Sequence, residues 1–153
     1  MLRRTASRLL PLNLGRVNHV GIAVPKTTPL VKAAAFYTAA FKTARISDVR
    51  ELPELGVSLL YVELPTSRLE LLHPVGAKSP IAKFLEKNPI GGLHHIGLEV
   101  VDMDAAIATC RSRNIRTLSQ FPKMGSHGHP LIFLHPKDCG GVLIELIQVK
   151  PKY

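Results

Sequence analysis

Residues 18–24 read NHVGIAV, and residues 94–100 read HHIGLEV. After its first residue, each heptapeptide alternates His, Gly and Ala or Glu with the apolar residues Val, Ile or Leu. This is the period-two pattern of a β-strand whose two faces differ. In both copies a histidine and the glycine two positions later, His19 with Gly21 and His95 with Gly97, lie on the same face. The recurrence indicates that the chain contains two copies of one structural module.

The resemblance between the halves continues beyond these heptapeptides. Each one leads into an alanine-rich segment of helical composition, at residues 30–41 and 104–113. Each half then ends in an apolar strand with one glutamate, Glu70 in the first half and Glu145 in the second. His95 follows His19 by 76 positions and Glu145 follows Glu70 by 75, so both halves keep nearly the same spacing.

These patterns predict an α+β fold of two tandem βαβββ modules in one domain over residues 17–150. Module one covers residues 17–75, a connector 76–91 and module two 92–150. The middle strands are predicted at residues 44–50, 56–64, 115–121 and 131–135. Ser79 and Pro80 predict the start of a connecting helix, because serine caps helices and proline suits the first helical position.

The two histidines and two glutamates predict a metal site. A carboxylate buried in an apolar strand needs a cation, a metal or a proton, because an unpaired buried charge is costly. A pseudo-twofold axis between the modules would bring His19 towards His95 and Glu70 towards Glu145. Two imidazoles and two carboxylates suit a divalent ion. The alternative is two buried Glu–His hydrogen bonds without a metal.

The other histidines give weaker predictions. His94 and His73 are expected on strand faces that point away from the site. His127 and His129 lie in the segment GSHGHP at residues 125–130, which is either a surface loop or a flap that closes over the site. His135 precedes a turn at Gly140 and Gly141.

The first 16 residues differ in composition from the rest of the chain. They carry four of the 20 basic residues, no acidic residue, and leucines and hydroxyl residues between the arginines, as mitochondrial transit peptides do. A disordered basic tail is the alternative.

Without the first 16 residues, the chain has 16 basic residues and 11 acidic ones. This mild excess suits an anionic small molecule and argues against nucleic acid. No apolar run has the length of a membrane span, and two cysteines do not suggest a disulfide framework.

Four stretches resemble the methylmalonyl-CoA epimerases of the vicinal oxygen chelate superfamily. They are NHVGIAVP (residues 18–25), ELLHP (70–74), GGLHHI (91–96) and IFLHPKDCGGVLIE (132–145). The resemblance implies an eight-stranded cup with metal ligands at His19, Glu70, His95 and Glu145. It also implies Co²⁺ as the ion, an acyl-CoA substrate, a homodimer and a place in the mitochondrial matrix.

The implied reaction moves a proton between the two faces of a carbon next to a thioester, which needs a base on each face. Glu145 and Glu70 are the predicted bases. Some relatives carry a further glutamate shortly after the equivalent of PELGV (residues 53–57), where this chain has Leu59. The alternatives are a glyoxalase-type lyase or isomerase, a ring-cleaving dioxygenase, and a metal-free binding module of the same fold.

Overall fold

The computed structural model describes residues 14–42 and 45–150. Most of the predicted targeting segment, residues 1–13, lies outside the described residues. Its last three residues belong to the first strand, β1 (Leu14–Ala23). Strand β1 therefore extends three residues before the predicted start at residue 17.

The first module consists of one long strand, a helix and a set of shorter strands. After β1 come α1 (Leu30–Ala40), β2 (Arg45–Ile46), β3 (Arg50–Leu52), β4 (Val57–Glu63) and β5 (Arg68–Pro74). A short 3-10 turn (Pro53–Leu55) separates β3 from β4. The predicted connecting helix is present as α2 (Pro80–Lys87), and Ser79 caps it by accepting a hydrogen bond from the backbone N–H of Ile81.

The second module has a similar order, with one undivided strand where module one has β2 and β3. It contains β6 (Gly92–Val100), α3 (Met103–Ser112), β7 (Lys123–Met124), β8 (Pro130–Leu134), a 3-10 turn (Pro136–Asp138) and β9 (Ile144–Gln148). Asp102 caps α3 by accepting from the backbone N–H of Ala105 at 2.9 Å. No helix in the described ranges has the length and hydropathy that crossing a bilayer requires.

All of the strands join one mixed sheet that curls into a half-barrel. The order is β2-β4-β5-β1-β6-β9-β8-β7, and β3 also pairs with β4. The antiparallel pair β1–β6 joins the modules at the centre, and each of these strands pairs in parallel with the last strand of its own module, β5 or β9. This arrangement confirms the α+β class and the two βαβββ modules.

The middle strands differ from the prediction. The strand predicted at residues 44–50 is divided into β2 and the first residue of β3, both of which pair with β4. Ser47 interrupts the pairing between them, and its Oγ accepts a hydrogen bond from the backbone N–H of Tyr61 at 2.8 Å. The prediction of a strand at residues 115–121 is wrong, since only a bridge from Thr117 to Leu134 forms there. Thr117 and Ser119 instead bond backbone carbonyls within the segment, an alternative to strand pairing for hydroxyl side chains.

Helices α1 and α3 cover the convex side of the sheet and form the core with it, whereas α2 packs at the edge of the concave side, where Ile81 clusters with Leu59 and Leu72. Around α1 the buried residues include Leu30, Ala34 and Leu60; around α3 they include Ile107 and Leu146. The two cysteines are free thiols. This packing leaves the concave face of the sheet available for the site.

Candidate metal centre

The structure brings the four predicted ligands together in the concave face of the sheet. His19 Nε2 and His95 Nε2 lie 3.0 Å apart. Glu145 Oε2 lies 3.1 Å from His19 Nε2, and Glu70 Oε2 lies 3.4 Å from His95 Nε2 and 3.6 Å from His19 Nε2. All four side chains are buried, with at most 7% of each residue exposed. His19, Glu70 and His95 thus form one compact cluster, and Glu145 joins it beside His19.

The register of the sheet pairs each histidine with the glutamate of the other module. Across β1 and β6, His19 lies opposite Gly97 and His95 lies opposite Gly21. Gly97 is in turn the neighbour of Glu145 on β9, just as Gly21 is the neighbour of Glu70 on β5. Each glycine therefore separates a histidine on one side from a glutamate on the other.

Both glycines are required by the space that the histidine rings occupy. A Cβ atom on Gly21 would lie 2.2–2.8 Å from three ring atoms of His95, and one on Gly97 would lie 2.4–2.9 Å from three ring atoms of His19. Non-bonded contacts of real Cβ atoms are essentially never this short. The repeated His-x-Gly spacing therefore indicates that the histidine ring of each module packs over the glycine backbone of the other module.

Two β-bulges supply partners for the outer ring nitrogens. The register shifts by one residue at Asn18 in β1 and at His94 in β6, 76 positions apart. Asn18 Oδ1 lies 3.0 Å from His19 Nδ1, and His94 Nδ1 lies 3.0 Å from His95 Nδ1. A bulge can re-aim a side chain, so the prediction that His94 faces away from the site was wrong.

These outer partners orient the rings towards the centre. Burial and the charge of His95 lower the pKa of His94 to about 4, so His94 is neutral near pH 7 and its Nδ1 can accept a hydrogen bond from the Nδ1–H of His95. With Nδ1 donating to this partner, Nε2 of His19 and of His95 is the nitrogen left to face the cluster, where it can donate to a carboxylate or, without its proton, bind a cation. Histidines that bind metals are commonly oriented by such a hydrogen bond on the far nitrogen.

The electrostatics of the cluster favour ionised carboxylates. Burial alone would raise the pKa of Glu70, but the hydrogen bond with His95 and the charges of both histidines hold it at about 2. Burial lowers the pKa of His19, whereas its contact with Glu145 and the charges of Glu70 and Glu145 outweigh that effect and raise it. The site is therefore built for positive charge at its centre.

The geometry fits a divalent cation. His19, Glu70 and His95 offer ligand atoms that all lie within 4.8 Å of one another, and Glu145 Oε2 lies beside them. Among the described residues Glu145 Oε2 is buried without a hydrogen-bond partner, because its contact with His19 lacks hydrogen-bond geometry. Leaving a buried polar atom unsatisfied costs about 1–3 kcal/mol, and more for a charged one. A metal ion would satisfy it, and the N₂O₂ donor set suits a divalent ion.

Tyr61 is a site residue that the sequence did not indicate. Its hydroxyl donates to Glu70 Oε1 at 2.7 Å and lies 2.8 Å from Ser126 Oγ. The phenol of Tyr61 stacks on the ring of His127, with centroids 5.0 Å apart, and Arg68 lies 4.5 Å from its centre. Residues 125–129 of the second module thus contact β4 of the first, which favours a flap over a free surface loop.

A cavity of about 720 Å³ opens beside the cluster. Leu59, Tyr61 and Phe133 line it near the ligands, and Lys78 and Lys123 line it further away. Leu59, which stands where some relatives have a glutamate, is almost fully buried in this wall. The volume is in the range of small-molecule sites.

Two of the remaining histidines have structural roles. His73 Nε2 bonds the backbone carbonyl of Thr28 at 2.8 Å, as expected for a residue facing away from Glu70. His135 Nδ1 accepts from the backbone N–H of Lys137 and so caps a 3-10 turn. Neither lines the cavity.

The chain is similar to several known proteins. A family model described as glyoxalase/bleomycin resistance protein/dioxygenase superfamily matches residues 18–133. A human protein named methylmalonyl-CoA epimerase, mitochondrial, is 55% identical over 136 residues, which cover 89% of this chain and 75% of that protein. An ethylmalonyl-CoA/methylmalonyl-CoA epimerase of Cereibacter sphaeroides is 49% identical over 89% of this chain and 99% of its own length.

A solved structure gives the same result at the level of the fold. It is a variant of methylmalonyl-CoA epimerase from Streptomyces coelicolor in complex with 2-nitronate-propionyl-CoA. It aligns with a TM-score of 0.80 and 35% identity, over 90% of this chain and 99% of that one. This chain therefore belongs to the glyoxalase/bleomycin resistance protein/dioxygenase superfamily and, within it, to the methylmalonyl-CoA epimerase family.

Proposed function

We propose that this chain interconverts the (2S) and (2R) epimers of methylmalonyl-CoA by removing the α-proton and returning it to the opposite face. The observation that carries the proposal is the pair of buried glutamates, one from each module, that reach the same point beside a cavity. Epimerisation needs a base on each face of the α-carbon. Relatives at 55% and 49% identity that carry this activity in their names support the substrate.

His19, Glu70, His95 and Glu145 would hold the divalent ion. When bound, the ion would supply Lewis-acid stabilisation of the negative charge that develops on the thioester oxygen. The resemblance to the family favours Co²⁺, and the mixed nitrogen and oxygen donors suit it.

Glu145 and Glu70 are the proposed bases. Glu145 takes the α-proton from one face and the electron pair moves to the thioester oxygen as an enolate. Glu70 enters this direction of turnover protonated and gives its proton to the other face. Between turnovers Glu145 releases its proton to solvent and Glu70 takes one up, and in the reverse reaction the two residues exchange roles. Glu145 Oε2 has no hydrogen-bond partner among the described residues, so no hydrogen bond has to break before it takes a proton. Leu59 offers hydrocarbon where some relatives have a carboxylate, so it cannot act as a base. Glu70 is then the remaining acidic residue at the cluster on the side of module one.

The alternative activities differ in what they consume. A glyoxalase-type lyase or isomerase acts on a glutathione adduct, a ring-cleaving dioxygenase consumes oxygen, and a metal-free module binds without turnover. An assay that follows each pure epimer of methylmalonyl-CoA separates these cases. Conversion in both directions supports the proposal, and turnover of a glutathione hemithioacetal alone contradicts it.

Removal of the metal should abolish activity, and Co²⁺ or another suitable divalent ion should restore it. The reason is that the buried carboxylates and imidazoles of the cluster are arranged around a cation. His95→Ala should lose bound metal and turnover together, as measured by elemental analysis and the epimer assay. His73→Ala is the matched control, because His73 bonds Thr28 away from the cavity and should keep both. Full activity in thoroughly metal-free protein would refute metal dependence.

We also propose that the protein acts in the mitochondrial matrix and that residues 1–13 contain most of the targeting signal. The acid-free, arginine-rich composition supports this, as does the mitochondrial name of the human relative. The homodimer implied by the resemblance stays a prediction, for which the oligomeric mass in solution is the test.

Deleting residues 2–13 should leave turnover and thermal stability unchanged while the protein stays in the cytosol. The deletion should stop before Leu14, because Leu14 pairs with Val100 and Arg16 forms an ion pair with Glu99. Cell fractionation measures the location. The control is a full-length variant in which Arg3, Arg4 and Arg8 are changed to Gln. It should also fail to enter mitochondria. Import of the truncated protein would contradict the targeting role.

A further inference from the structure

The sheet places one aromatic residue directly opposite each glutamate. Tyr61 on β4 lies opposite Glu70 on β5, and Phe133 on β8 lies opposite Glu145 on β9. The two positions are equivalent in the two modules. They differ by a single hydroxyl group, which is present beside Glu70 and absent beside Glu145.

That hydroxyl makes the two carboxylates unequal. Tyr61 donates to Glu70 Oε1 at 2.7 Å, so only Oε2 of Glu70 faces the histidine nitrogens, at 3.4 and 3.6 Å. Phe133 offers no such bond, and Glu145 Oε2 is left without a hydrogen-bond partner among the described residues. The repeat therefore supplies two similar ligands, and Tyr61 restrains one of them.

The phenol itself is held in place. Because its proton is donated to Glu70, Tyr61 Oη accepts from Ser126 Oγ at 2.8 Å. The ring also stacks on His127 in the same loop and contacts the guanidinium of Arg68. Only 3% of Tyr61 is exposed. Its position thus depends on the loop of residues 125–129, which belongs to the other module.

We propose that Tyr61 is a positioning residue that fixes Glu70 as a one-oxygen metal ligand and leaves Glu145 as the more mobile of the two carboxylates. The same hydroxyl also bonds Ser126, so the orientation of Glu70 depends on the position of the loop of residues 125–129. The inference rests on the proposed metal centre, but it is tested by metal binding without any substrate. Its outcome is therefore independent of whether the chain is an epimerase.

The test is Tyr61→Phe in the full chain, compared with the wild type after loading with Co²⁺. We expect Co²⁺ to bind about 10–100-fold more weakly, the usual effect of removing a partner of a metal ligand. The visible absorption bands of bound Co²⁺ should also change, because freeing Oε1 alters how Glu70 coordinates. Phe keeps the ring but removes the hydrogen bond to Glu70 Oε1, so some loss of thermal stability is expected as well, and Co²⁺ binding is measured below the melting range of both proteins. Co²⁺ affinity is measured by competition with a coloured chelator.

Tyr37→Phe is the matched control. Tyr37 lies on α1, beside Phe36 and away from the cavity, so loss of its hydroxyl should change neither affinity nor spectrum. Wild-type affinity and spectrum in Tyr61→Phe would overturn the proposal.

Phe133→Tyr tests the same idea without removing any native bond. It places a hydroxyl opposite Glu145 in the register that Tyr61 has opposite Glu70. We expect the Co²⁺ spectrum to change and turnover to fall, because the second carboxylate is now restrained as well. If both the spectrum and turnover stay as in the wild type, a hydroxyl at this position does not position the glutamate, and the proposal fails even if Tyr61→Phe does not fold.

Discussion

Glu145→Gln should keep its metal ion and lose turnover by about 10²–10⁴-fold, the contribution that a general base usually makes. Glutamine retains an oxygen that can bind the ion but cannot take a proton. Glu145 Oε2 has no competing hydrogen bond among the described residues, so the loss should reflect chemistry at that oxygen. Metal content by elemental analysis and turnover of each epimer are the two measurements.

Glu70→Gln is the discriminating partner of that variant. If Glu70 is the second base, the variant should also bind metal and lose turnover. Exchange of the α-proton should then slow by different factors for the two epimers. If Glu70 is only a ligand, glutamine should be nearly harmless. Near-normal turnover from both epimers in Glu70→Gln would exclude the two-glutamate scheme. His127, His129 and His135 would then be the first candidates, although none of them lines the cavity.

Gly97→Ala should lower metal affinity by about 10²-fold or more, the scale of effect that a displacement of about 1 Å can have at a site. The new Cβ would lie 2.4 Å from His19 Cε1, so the ring must leave its position between Gly97 and the other ligands. Gly21→Ala should act in the same way on His95, 2.2 Å from its Cε1. The measurement is competition for Co²⁺ together with a thermal melt.

Gly141→Ala separates loss of the site from loss of stability. Gly141 has a φ of +87° with open space around it, so alanine there strains the backbone without touching a ligand. This control should melt earlier and bind metal normally. Gly97→Ala with wild-type metal affinity would show that the histidine rings do not depend on the glycines opposite them.

The tertiary structure decided several features because they depend on the pairing of strands that are distant in the sequence. Alternation placed His94 on the wrong face, since a bulge in β6 turns its ring towards His95. The strand predicted at residues 115–121 was wrong because Thr117 and Ser119 bond nearby carbonyls instead. Tyr61 gave no signal, because only the register of β4 against β5 places its hydroxyl on Glu70.

The sequence by itself determined the repeated α+β modules, and it predicted the four side chains that the fold brings together as candidate ligands. It could do so because a period-two pattern reports which residues share a strand face, and because a carboxylate buried in each half demands a common cation. It predicted that the halves meet, but not which side chains become neighbours. That His19 lies beside Glu145, and that a hydroxyl restrains Glu70 alone, follow from strand register and from contacts between the modules.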